Sequence, residues 1–174
     1  MTGRPIIVDG ILLPSDAPLF LTFIAVHVAA GLVCVVAGVV AMLSLKQRGR
    51  HPQAGTVYYW SLAIVAITMT ALAVARWTQD YHLFILGALS FLAATIGRMA
   101  RRKRWPGWAR IHMTGMGVSY ILVITAFYVD NGRNLPLWRE LPQIAFWILP
   151  ALIGTPILLT TLLRHPLTRG ENST

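Results

Sequence analysis

Residues 17–45 read APLFLTFIAVHVAAGLVCVVAGVVAMLSL, and they contain no Asp, Glu, Lys or Arg. At ~1.5 Å per residue this run is longer than the ~30 Å hydrocarbon core of a bilayer. Four further uncharged windows follow, at about 56–75, 83–97, 111–129 and 141–163. The chain as a whole has 174 residues, is 56% hydrophobic and 12% charged, and has a mean hydropathy of +0.62. A soluble domain of this size needs far more charge to cover its surface. In lipid every backbone polar group must find an internal partner, so the runs have to be helices. The ten-residue alternating segments of an outer-membrane barrel are missing. The expected fold is therefore an all-α membrane protein, a single domain built as a bundle of five transmembrane helices. Their spans are expected at about 18–45, 56–76, 82–98, 110–129 and 141–163, between an outer tail over 1–17 and a cytoplasmic tail over 164–174.

The basic residues orient this bundle. With the N-terminus outside and the C-terminus cytoplasmic, the inner segments hold Lys46, Arg48, Arg50, Arg98, Arg101, Arg102, Lys103, Arg104, Arg110, Arg164 and Arg169. The outer segments hold only Arg4, Arg76, Arg133 and Arg139, with five of the six acids. Lys and Arg in short loops set orientation, whereas acids contribute little. A net charge of +9 thus reads as topogenic loops against anionic lipid headgroups, and nucleic acid is not expected as a partner. A membrane protein partner or a second copy is compatible with the same surface. The first seventeen residues are too polar and proline-rich for a cleavable signal, and the lone Cys34 inside the first helix forms no intrachain disulfide.

Local signals fit this layout. Ser15 or Asp16 is expected to cap the first helix, with Pro18 in its first turn. His27, Gly31, Cys34 and Gly38 share one face of that helix. Gly87, Ser90, Ala94 and Gly97 form a similar stripe on the third, and His112, Gly115 and Ser119 on the fourth. Small residues at such spacing let helix backbones approach closely, so these faces are expected to meet each other, and packing alone explains them. Trp77, Tyr81, Trp105 and Trp108 read as interfacial anchors, as do Tyr58, Tyr59 and Tyr128. The outer segment TAFYVDNGRNLPLWRELP, 125–142, turns at Asn131-Gly132. Pro150 and Pro156 are expected to kink the fifth helix.

The candidate site residues are histidines. His27 and His82 fall toward the outer face, His51 and His112 toward the inner one. Ionisable groups within a membrane are costly and point to function. Two imidazoles from facing helices can hold a haem iron axially, so these four are the candidate cofactor and metal ligands, with haem b as the cofactor. The arrangement resembles, in design alone, the diheme b-type transmembrane cytochromes, which place one histidine pair near each face of a four-helix core. A flush start for the first and third helices would put His27 about 13 Å along the axis and leave His82 at the mouth, spoiling the outer pair. His51, in the hinge GRHPQAGTVYYW (49–60), and His82, at a membrane mouth, read first as interfacial hydrogen-bonding groups and only second as ligands. Cys34, Met113 and Met116 would suit Cu(I), although methionine in membrane helices commonly serves packing. No mid-membrane acid, phosphate loop or nucleophile–base pair points to other chemistry.

The hinge, with HLFILGALSFLAATIGRMARR (82–102) and GMGVSYILVITAFYVDNGRNLPLWRELP (115–142), resembles a family of small bacterial proteins known only as predicted membrane proteins of unknown function. The resemblance implies five helices in a bacterial inner membrane and draws attention to His27, His51 and Gly55, without implying an activity. Three functions are consistent with the sequence: a haem-binding redox protein, a non-enzymatic membrane subunit using the 130–142 loop as contact surface, and a small permease. The last suits a chain lacking intramembrane charge pairs least.

Overall fold

The computed structural model describes residues 6–8, 11–13, 17–45, 49–136, 138–165 and 168. Five helices are long and apolar enough to cross a membrane. They are α1 (Pro18–Leu43), α2 (Arg50–Ala75), α3 (Trp77–Lys103), α4 (Trp108–Asn131) and α5 (Gln143–Arg164). A short 3-10 helix, Gly132–Asn134, follows α4. Ahead of α1, the strands β1 (Ile6–Val8) and β2 (Ile11–Leu13) pair antiparallel, with Ile6 opposite Leu13 and Val8 opposite Ile11. The first seventeen residues were read as a plain tail; the missed signal is Asp9-Gly10 between two apolar triplets. Large apolar side chains face outward all along the helices, Ile67 at 67% and Val74 at 73% exposure among them. Apolar faces this extensive belong in lipid rather than water.

Several helix bounds differ from the charge-free windows. α3 extends from Trp77 to Lys103 rather than 82 to 98. Charge ends a hydrocarbon-compatible run but need not end a helix. Asp80 lies in the first turn and Arg101, Arg102 and Lys103 in the last, where the helix dipole favours each sign. Arg76 and Asp80, 3.6 Å apart, bridge the start. α2 likewise begins at Arg50, six residues before its window, with Gly49 as the N-cap. Pro52 falls in the first turn, where its missing N–H removes no bond. α1 is capped by Ala17 without a side-chain bond, and Pro18 is its first residue. Ser15 and Asp16 lie outside the described residues, as do Arg4, Lys46, Arg48 and Arg169. α5 runs unbroken through Pro150 and Pro156.

The chain divides into two compact units, 1–84 and 85–174. In the first, α1 and α2 form the principal helix pair. Phe20, Cys34, Tyr58, Leu62 and Ala73 are its most deeply buried apolar residues. Tyr58 is 2% exposed, so it is a core residue and not the interfacial anchor its aromatic ring suggested. In the second unit α4 packs along α5. A Cβ on Gly117 would meet Leu158, and one on Gly154 would meet Ile121. Each helix thus offers a glycine hollow four residues from a bulky side chain, and the antiparallel partner fills it. α3 and α4 meet more closely still. A Cβ on Gly115 would lie 2.6 Å from the Ala93 carbonyl oxygen and 2.9 Å from Gly97 Cα. Buried Ser90 and Ser119 hydroxyls lie 3.1 Å apart beside this contact, and Ser90 donates to the Ser119 carbonyl at 2.9 Å. The small-residue stripes of α3 and α4 therefore do face each other.

Candidate functional site: the helix-borne histidines

The α1–α2 pair carries three polar contacts seven residues apart on α1. His27 Nδ1 lies 2.9 Å from Thr68 Oγ1, Cys34 Sγ lies 3.8 Å from the Tyr58 carbonyl oxygen, and His51 Nδ1 lies 2.8 Å from the Ala41 carbonyl oxygen. The partners on α2 run backwards along the chain, as an antiparallel pair requires. The seven-residue repeat keeps one seam of α1 against α2.

These contacts fix which nitrogen of each ring carries the proton. A carbonyl oxygen only accepts, so His51 Nδ1 donates to Ala41. Ala41 is among the last four residues of α1, whose carbonyls have no helical partner, and the imidazole satisfies one of them. His51 therefore sits in the first turn of α2 as a clasp on the end of α1, not in a loop before it. His112 Nδ1 donates in the same way to the Gly97 carbonyl at 3.0 Å, joining α4 to α3. At His27 the acceptor is a hydroxyl with a single proton, which Thr68 gives to the Ile64 carbonyl at 2.8 Å and shares with Val65 at 3.1 Å. Thr68 Oγ1 therefore accepts from His27 Nδ1. At His51 and His112 the Nδ1 proton is given to a carbonyl, and His27 takes the same arrangement when Thr68 keeps its proton on the Ile64 carbonyl. A metal-bound histidine is oriented in the same manner, by a hydrogen bond on the nitrogen away from the metal.

His82 is half-buried in α3, with the Tyr81 ring edge-on at 5.6 Å between centroids. Trp77 packs against both Tyr81 and Phe84. Because α3 starts at Trp77, His82 lies five residues inside it, about 7.5 Å along the axis. His82 therefore lies inside its helix rather than at the helix mouth. Thr68, level with His27, lies seven residues before the end of α2, about 10.5 Å.

Space differs along the glycines. A Cβ on Gly31, one turn from His27, would meet nothing within 4 Å, and the same is true of Gly87. Gly97 and Gly115, by contrast, are filled by backbone. His27 and His82 belong to the first unit, whereas His51 and His112 belong to different units. Among the described residues no three of His, Cys, Asp and Glu converge as a metal site. Cys34, the soft ligand expected to favour copper, is buried with its thiol toward a backbone carbonyl. Sequence reasoning overlooked Thr68, whose only signal is a hydroxyl within an apolar run, and the hollows at Gly117 and Gly154.

No protein-family model matches this chain, and neither a curated protein nor a solved structure matches it.

Proposed function

We propose that this is a multi-pass protein of the bacterial cytoplasmic membrane, N-terminus outside, that binds haem b between His27 and His82 and serves in electron transfer. The observation that carries the reading is the hydrogen bond from His27 Nδ1 to Thr68, a partner whose own proton is committed elsewhere. It fixes the imidazole with Nε2 as the basic nitrogen, the form a haem iron requires. Two features add support. The start of α3 at Trp77 puts His82 within the helix instead of at its mouth, and the open face at Gly31 offers room beside the ligand. When bound, the haem supplies one-electron exchange between ferric and ferrous iron.

The residues of the chain do the rest. His27 and His82 would hold the iron, Thr68 would orient the first imidazole, and the surrounding apolar helices would exclude water, a lever on reduction potential. His51 and His112 belong to different units, whereas His27 and His82 share one, so the proposal rests on the outer pair. Orientation follows from the eleven of 15 basic residues that the N-out arrangement puts on the cytoplasmic side.

The test is the absorption spectrum of protein purified from haem-replete cells. A Soret band is expected, absent from His27→Ala and from His82→Ala. Thr68→Val should weaken haem affinity 10- to 100-fold, the usual cost of removing a group that orients a ligand. Colourless, iron-free wild-type protein would overturn the proposal.

A second reading, a non-catalytic membrane subunit, draws on the segment after α4. Tyr128 and Trp138 rings pack 4.9 Å apart, Gly132 sits tightly on Phe146, and Arg133 donates to Gln143 Oε1 at 2.9 Å. These contacts hold a formed surface beyond the helix ends. Colourless protein that co-purifies with one fixed partner, and loses it on Trp138→Ala, is the result this reading predicts.

A further inference from the structure

We infer that Asn131–Gly132 is a site of spontaneous, one-way modification, the conversion of Asn131 to aspartate or isoaspartate by water, and that the fold holds it shut by pinning Gly132 beneath Phe146. Asparagine followed by glycine is especially open to this reaction, because glycine has no Cβ to shield its backbone nitrogen. The Gly132 nitrogen attacks the Asn131 side-chain carbon. One C–N bond forms there, the bond to the side-chain nitrogen breaks, and ammonia leaves with the Gly132 amide proton. Water then opens the five-membered imide. Opening at the side-chain carbonyl leaves aspartate, and opening at the backbone carbonyl leaves isoaspartate. The sum is an amide plus water giving an acid plus ammonia.

The geometry opposes each part of this reaction. α4 runs through Asn131 instead of turning there, and Asn131 has φ −109° and ψ −10°. Closing the imide ring requires the Gly132 nitrogen to eclipse the Asn131 Cβ about the Cα–C bond. At this ψ it eclipses the residue's own nitrogen instead. The attacking group is also engaged, since the Gly132 N–H donates to the Tyr128 carbonyl. The Asn131 amide is drawn back along α4, with Nδ2 donating to the Phe127 carbonyl at 3.1 Å and to Asp130 Oδ2 at 3.2 Å. Gly132 is buried, and the Phe146 ring lies 2.7 Å from where its Cβ would be. Turning Asn131 toward ring closure breaks the bond to Tyr128 and lifts Gly132 off Phe146, so the reaction runs only through local opening. Water is at hand once that happens, because Arg133 and Asn134 are exposed.

The product does not restore the closed state. A carboxylate at position 131 has no N–H for the Phe127 carbonyl. It sets a second negative charge beside Asp130 at the C-terminal end of α4, where the helix dipole disfavours it. Isoaspartate also lengthens the backbone by one carbon at the pinned glycine. Either product loosens the segment that the Tyr128–Trp138 ring contact and the Arg133–Gln143 bond otherwise hold.

Full-length protein in lipid nanodiscs is incubated at mildly alkaline pH, and conversion at Asn131 is followed by peptide mass spectrometry. The folded wild type should convert at least about tenfold more slowly than the same chain unfolded in detergent and urea. Phe146→Ala should accelerate conversion of the folded protein about tenfold, and Phe146→Leu by less, with neither changing the unfolded rate. Gly154→Ala, which disturbs α4–α5 packing away from Gly132, should leave the rate nearly unchanged. Asn131→Asp, the product made directly, should be cut by trypsin after Arg133 about fivefold faster than wild type. Equal rates in folded and unfolded wild type would overturn the inference, as would no acceleration in either Phe146 variant. Equal acceleration in Gly154→Ala and Phe146→Ala would put the control in global unfolding and overturn the local pin. Unchanged cleavage of Asn131→Asp would overturn the one-way consequence.

Discussion

α1 against α2, and α4 against α3 and α5, solve one problem by different means. Apolar side chains gain nothing from leaving lipid for each other, so helix association needs close packing or interhelical hydrogen bonds. The second unit adds close packing to its hydrogen bonds at Ser90 and His112: Gly115 on Gly97, Leu158 over Gly117, Ile121 over Gly154. The α1–α2 pair is held along its length by polar contacts at His27, Cys34 and His51, while Gly31 on the same helix has open space where a Cβ would be. A glycine inside a helix costs about 1 kcal/mol relative to alanine. At Gly97, Gly115, Gly117 and Gly154 close approach offsets that cost. At Gly31, as at Gly87, nothing within the described chain does, and under the proposed function a group bound beside His27 would give the reason at Gly31.

The sharpest way to break the comparison is a methyl group on each kind of glycine. Gly115→Ala sets a Cβ against the Ala93 backbone, which cannot rotate aside. A loss of about 3 kcal/mol is expected, read from unfolding in mixed micelles. Gly154→Ala meets the side chain of Ile121, which can yield, so about 1 kcal/mol is expected from the same measurement. Thr68→Val leaves the His27 Nδ1–H without its acceptor and should cost about 0.6 kcal/mol, the usual scale for a polar contact between membrane helices. Gly31→Ala comes last. It should leave the haem-free protein as stable as wild type or slightly more so, while lowering haem occupancy. Should Gly31→Ala and Gly115→Ala destabilise equally, the two regions would not differ in the way described.

The sequence made the helix number and the meeting of the α3 and α4 stripes legible, because lipid leaves a chain few choices and small residues repeat at helical spacing. Helix ends were less legible. Apolar windows report where hydrocarbon stops, yet Trp77–His82 and Arg101–Lys103 continue the backbone hydrogen bonding beyond it. That error mattered most at His82, whose place within α3 decides whether it lies level with His27. His51 was placed in the hinge for a similar reason, since the second helix was bounded by its apolar window whereas α2 begins at Arg50. The role of Tyr58 was illegible because a lone tyrosine near a helix start looks the same in sequence whether it anchors or is buried. Reciprocal hollows such as Gly117 with Leu158 need the register of two helices, which no single stretch contains.

The central claim is that His27 and His82 together ligate one haem iron, and low-temperature electron paramagnetic resonance of the oxidised protein tests it directly. A low-spin ferric signal of the bis-imidazole kind is predicted, lost in both His27→Ala and His82→Ala and retained in His51→Ala. A high-spin signal, or one that survives the loss of either outer histidine, would contradict it.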